Sequence, residues 1–151
     1  MKLKNLLCLA ALISLTPAHA VAIKDTQFLL EHLRFDSNND NTFLGYRQTW
    51  DAGYRIYPEA SVSVSNDSLY FLQAGLRYYW KNLSIATGPG YYHRGSSFDM
   101  GGNLQFKSDL SYALTPHWQI GVYHVSNAGL DSHNPGANGL TLSYNWNGRK
   151  A

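Results

Sequence analysis

Between residues 69 and 81 every second side chain is apolar or aromatic: Tyr70, Leu72, Ala74, Leu76, Tyr78 and Trp80 alternate with Gln73, Gly75, Arg77 and Tyr79. A period of two belongs to an extended strand, whose successive side chains point to opposite faces. One such face is apolar with aromatic ends and the other is polar. The same split recurs at 103–114, where Leu104, Phe106, Leu110, Tyr112 and Leu114 oppose Asn103, Gln105, Lys107, Asp109 and Ser111. A chain with several such segments folds as an all-β sheet, and the 11 tyrosines fit a pleated, half-covered surface.

Weaker runs at 27–35, 42–50, 53–64, 83–92, 118–126 and 138–146 bring the expected strands to eight. Their connections alternate in length. Asp51-Ala52-Gly53, Lys81-Asn82 and Thr115-Pro116-His117 are short, whereas Asp36 to Asn41, Ser65 to Ser68, His93 to Gly102 and Asn127 to Ala137 are longer and polar. Short turns at one end and longer loops at the other are the plan of a transmembrane β-barrel of the outer membrane. Trp50, Trp80, Trp118 and Trp146 all fall at the short-turn ends, where an aromatic girdle is expected. The rival architecture is a soluble eight-stranded barrel with its apolar face turned inward around a ligand. Aromatic ends on the apolar stripes favour the membrane form, whose interior can be filled by Arg77, Lys107 and Asp109. Pro58 and Pro89 fall inside strands three and five and predict local irregularities.

The N-terminus agrees with export. Lys2 and Lys4 precede the apolar run Leu6 to Leu15, and Ala18-His19-Ala20 has a small-x-small cleavage pattern, so residues 1–20 read as a signal peptide and 21–151 as one barrel domain. No later segment approaches the roughly 18 apolar residues of a membrane helix. Without Lys2 and Lys4 the 12 basic residues become ten, against ten acidic ones, so the mature chain is formally neutral. No basic stripe with interleaved aromatics supports nucleic-acid binding. Cys8, the one cysteine, leaves with the signal, so packing and strand pairing must stabilise the fold without disulfides.

Strand seven carries the chemistry. Trp118, Ile120, Val122, His124 and Ser126 share one face, so a histidine and a serine continue a lipid-facing stripe. Polar groups facing hydrocarbon are costly, which calls for a functional reason or a position near the headgroups. Eight residues of tilted strand rise roughly 20 Å from the tryptophan girdle, which puts the pair in the outer leaflet of an apolar band about 25 Å tall. Histidine and serine two apart on one face can act as base and nucleophile. The pair alone is a weak signal, more often two polar groups at a strand end.

The longer string His124-Val125-Ser126-Asn127-Ala128-Gly129-Leu130, followed by Asn134-Pro135-Gly136 and an alternating final strand, resembles the lipid A 3-O-deacylase (PagL) family. The resemblance implies a small outer-membrane barrel that cuts the ester-linked acyl chain at position 3 of lipid A, the lipopolysaccharide anchor, with a lipid-facing Ser-His-Glu triad. It makes Ser126 the nucleophile and His124 the general base, with Asn127, Ala128, Gly129 and Asn134 around the oxyanion. Read as loop residues, those four are also ordinary turn formers. Where the family pattern implies the triad Glu, this chain has Asn138, whose parity is outward with Leu140, Leu142, Tyr144 and Trp146. An amide oxygen can orient an imidazole but stabilises imidazolium less than a carboxylate does. Asp131 is the second-ranked substitute. The rival to an esterase is a non-catalytic or weakly active barrel of the same family, with Asn138 marking the loss.

His32, His93, His117 and His133 have no spacing that suggests a shared metal, and no cofactor is called for. Gly88-x-Gly90 and Gly101-Gly102 read as bulge or loop positions rather than a phosphate loop. A homodimer is compatible with the sequence, which does not decide it.

Overall fold

Alternation sorts the side chains of every strand into an apolar outer set and a polar inner set, and closure of the sheet leaves no unpaired edge to face lipid. The computed structural model describes residues 22–34, 40–65, 69–93, 102–130 and 136–148. The proposed signal peptide, Asp131 and Asn134 lie outside the described residues, as do parts of the longer loops. Eight strands follow in chain order: β1 (Ala22–Arg34), β2 (Asp40–Asp51), β3 (Ile56–Ser65), β4 (Tyr70–Trp80), β5 (Leu83–His93), β6 (Leu104–Ala113), β7 (Trp118–Ser126) and β8 (Ala137–Asn145). Each is antiparallel to its neighbour, and β8 closes on β1 from Gln27↔Asn145 to Arg34↔Asn138.

The faces decide between the two barrel types. Leu76, Trp80, Ile85, Leu110, Trp118, Ile120, Val122, Leu140 and Trp146 are exposed on the outside, whereas Arg47, Arg77, Lys107, Glu31, Glu59 and Asp109 are buried within. This is the reverse of a soluble ligand-binding barrel. Inside, Arg77 donates through Nε to Glu59 Oε2 at 2.6 Å, through Nη2 to Asp109 Oδ2 at 2.6 Å and through Nη1 to Ser84 Oγ at 2.9 Å. Arg47 reaches the same Asp109 oxygen at 3.2 Å, and Lys107 pairs with Glu31. At the long-loop end this polar filling gives way to an apolar plug that includes Leu33, Phe43, Phe71, Tyr92, Tyr123, Val125 and Ala137.

Several local expectations are refined. The first strand begins at Ala22, not at 27, because a bulge between Ile23 and Asp25 inserts Lys24 and resets the alternation. The third begins at Ile56, since residues 53–55 belong to the turn that Gly53 opens with φ 79°. Pairing of β3 with β2 ends at Glu59, directly beside Pro58, which has no N–H to offer that ladder. At Pro89 the β4–β5 ladder lapses between Gln73↔Gly90 and Leu76↔Thr87, then resumes in the same register. There Gly88 permits close approach, as a Cβ on it would lie 2.2 Å from the Ala74 carbonyl oxygen. Asn103, expected to face inward, precedes β6 and is exposed, donating to the Tyr91 hydroxyl at 3.1 Å.

Candidate active site

The outer ends of β7 and β8 meet in an antiparallel register that sets His124 opposite Asn138 and Val125 opposite Ala137. Parity turns His124 and Asn138 outward and Val125 and Ala137 into the apolar plug. The plug therefore anchors the backbone from which the polar pair projects. Beneath them Tyr123 lies flat against Gly139, where a Cβ would come within 2.3 Å of the phenol ring. Only glycine leaves room for that ring.

His124 Nδ1 and Asn138 Oδ1 are 2.9 Å apart. The amide oxygen can only accept, so Nδ1 carries a proton, and in the neutral ring the lone pair then lies on Nε2. This is the tautomer a general base needs. Gly136, with φ 60°, borders the other edge of the ring: a Cβ there would lie 3.1 Å from Cε1 and 3.5 Å from Nε2. The missing side chain keeps the space beside the basic nitrogen open. Gly136 enters the sequence reading only as the end of Asn134-Pro135-Gly136; its place against the imidazole is seen only in the fold.

Ser126 is half-buried on the same face two residues beyond His124, opposite Phe106 of β6. Its hydroxyl makes no hydrogen bond among the described residues, whereas the histidine and Asn138 are joined. Catalytic hydrogen bonds are often long or unformed without substrate. Outward Ser108 of β6, opposite His124, shares a 2.9 Å hydrogen bond with Thr87 of β5 and extends the polar row away from the histidine.

The turn after Ser126 is tightly built. Ala128 and Gly129 have φ 53° and 77°, and the Leu130 N–H donates to the Asn127 carbonyl at 3.0 Å, a hairpin-like reversal with two left-handed residues. Alanine in that region is strained, and such strain concentrates where backbone groups are aimed for function. Asn127 is buried, and its Oδ1 accepts the Gly129 N–H at 2.9 Å. That bond holds the Gly129 donor within the turn and leaves the Ala128 N–H without a partner among the described residues. The described residues contain no cluster of histidine, cysteine, aspartate and glutamate able to hold a metal.

A closed eight-stranded barrel with an apolar exterior and an ionic interior defines a small transmembrane β-barrel. Residues 26–147 match the family model for lipid A 3-O-deacylase (PagL), and the chain belongs to that family. Family and fold together indicate the outer membrane. Among solved structures, the crystal structure of the outer membrane enzyme PagL is 15% identical with a TM-score of 0.54, covering 80% of this chain and 97% of that one. Designed transmembrane β-barrels are as similar in shape: one has a TM-score of 0.56 at 12% identity, covering 82% of this chain and 97% of its own. Likeness at these identities concerns the fold alone. No curated protein sequence matches the chain.

Proposed function

We propose that the protein hydrolyses the ester-linked 3-hydroxyacyl chain at position 3 of lipid A, with Ser126, His124 and Asn138 as its working residues. The observation that carries the reading is the 2.9 Å contact between His124 Nδ1 and Asn138 Oδ1 on the lipid-facing surface, in a member of a lipid A deacylase family. A histidine oriented by a neighbour, two residues from a serine, is the arrangement of a nucleophilic hydrolase.

In the proposed reaction the Ser126 hydroxyl oxygen attacks the ester carbonyl while His124 Nε2 takes its proton. The carbonyl oxygen becomes an oxyanion. The Ala128 N–H and the Asn134 side chain stand as its donors, and Asn127 keeps the turn in shape by holding the Gly129 N–H. Collapse breaks the ester bond to the sugar, and His124 returns its proton to the departing sugar hydroxyl. Water, activated by the same nitrogen, then releases the acyl group from Ser126. Asn138 holds the imidazole through Nδ1, without the charge a carboxylate would add. The acyl chain need not leave the bilayer, because the site faces it.

The test is incubation of the purified barrel with lipid A in detergent micelles. Release of 3-hydroxy fatty acid by the parent, and its loss in Ser126→Ala and His124→Ala, is expected. Equal release by folded Ser126→Ala would remove the assignment.

A further inference from the structure

Closure of the barrel brings the last residue of β1 beside the site: Arg34 pairs with Asn138 on the side away from His124. Both partners of Asn138 point outward, so Arg34 and His124 flank it about 10 Å apart across two interstrand spacings. The Arg34 side chain is 70% exposed, and its Nε is 4.0 Å from Asp40 Oδ1. Among the described residues that is its one charged contact, and it leaves both terminal nitrogens of the guanidinium fork uncommitted. Asp40 Oδ2 is in turn 3.7 Å from His32 Nε2, and His32 Nδ1 is 3.2 Å from the Thr42 hydroxyl. The surface on the β1–β2 side of the site is therefore polar and carries a cation. On the β6 side Ser108 lies opposite His124, between the outward apolar residues Phe106 and Leu110.

Among the described residues Arg34 is the outward-facing lysine or arginine at the long-loop end. Arg47, Arg77 and Lys107 are buried in the interior, and Lys24, Arg55 and Lys81 lie at the short-turn end. A guanidinium at the headgroup level costs little and presents a planar fork matched to phosphate oxygens. We infer that Arg34 forms an anion subsite that binds a phosphate monoester on the sugar headgroup of the glycolipid substrate, orienting the ester over Ser126. The inference rests on the hydrolase reading only for where the substrate lies. Asp40 steers the guanidinium through Nε and, as an acid, sets a limit on how tightly phosphate is held.

Binding is measured with Ser126→Ala barrel in neutral maltoside micelles, using lipid A and the same lipid A after removal of its phosphates. The phosphorylated form should bind about tenfold more tightly, the usual scale for a charge-assisted fork. Arg34→Gln in the same background should abolish the difference, Arg34→Lys should keep part of it, and Asp40→Asn should widen it. No preference in the Ser126→Ala protein, or a preference that survives Arg34→Gln, overturns the subsite. Inorganic phosphate that binds as tightly as the lipid would overturn the headgroup assignment. Hydrolysis by the parent is followed in parallel: phosphate-dependent binding without hydrolysis keeps the subsite and discards the deacylase reading. Hydrolysis indifferent to phosphate and to Arg34 does the reverse.

Discussion

Arg77 and His124 both lie on membrane-spanning strands, and both are too polar for hydrocarbon, yet their surroundings differ. Arg77 points inward and spends three nitrogens on Glu59, Asp109 and Ser84. His124 points outward, is exposed, and among the described residues bonds Asn138 alone, beside a serine that bonds none of them. Inside the barrel, polarity is paired and locked, which is what a buried charge requires. On the outside, two polar side chains and their neighbour remain available to something that approaches from the lipid. The difference separates residues that hold the barrel from those proposed to act, and substitutions can break it at either end.

The largest effect is expected at Ser126. Ser126→Ala should lower deacylation by about a thousandfold or more, as loss of a nucleophile does. Its unfolding free energy in detergent should stay within about 0.5 kcal/mol of the parent, since it breaks no hydrogen bond among the described residues. Asp109→Ala should invert that result. Removing the carboxylate shared by Arg47 and Arg77 leaves two buried guanidiniums with Glu59 as their common carboxylate and should cost about 3–5 kcal/mol in urea unfolding. Any barrel that still folds should retain the parent's turnover per folded molecule. A Ser126→Ala protein as unstable as Asp109→Ala would erase the distinction.

Asn138 sharpens the comparison, because its bond to His124 is the one proposed to orient the base. Asn138→Ala should reduce turnover about ten- to a hundredfold, the kinetic equivalent of a hydrogen bond of about 1.5–3 kcal/mol to a group that becomes charged. Asn138→Glu should match or exceed the parent, since a carboxylate there would lie between His124 and Arg34 and stabilise the imidazolium. Steady-state rates at equal concentrations of folded barrel decide both. An Asn138→Ala rate equal to the parent would remove its orienting role. The smallest effect belongs to Gly136→Ala, where left-handed strain of about 1 kcal/mol and a methyl beside Nε2 should lower kcat/KM several-fold.

Much of this was legible in the linear chain because parity is a local property. The alternation at 69–81 predicts which side chains of β4 face lipid, and Arg77 and Gln73 are buried while Leu76 and Trp80 are exposed. The hairpin between β7 and β8 carries parity from His124 to Asn138, so their contact was predictable from the strand pattern. Parity fails where the chain adds a residue, and the bulge at Lys24 hides the true start of β1 at Ala22, five residues before the expected 27. It is silent on which donor a turn consumes, and the Gly129 N–H, one of the expected oxyanion donors, is given to Asn127 Oδ1. It is equally silent on closure. Arg34 and Asn138 stand near opposite ends of the barrel sequence, and only the β1–β8 register makes them neighbours.

The most direct test compares lipid A from outer membranes that hold equal amounts of folded parent or Ser126→Ala barrel, read by mass spectrometry. The parent should yield lipid A lighter by one 3-hydroxyacyl chain, lost from position 3, and the Ser126→Ala membranes should yield the full-length species alone. Lipid A of unchanged mass with the parent, or the same loss with Ser126→Ala, would contradict the claim that the outward polar residues of this barrel are its catalytic ones.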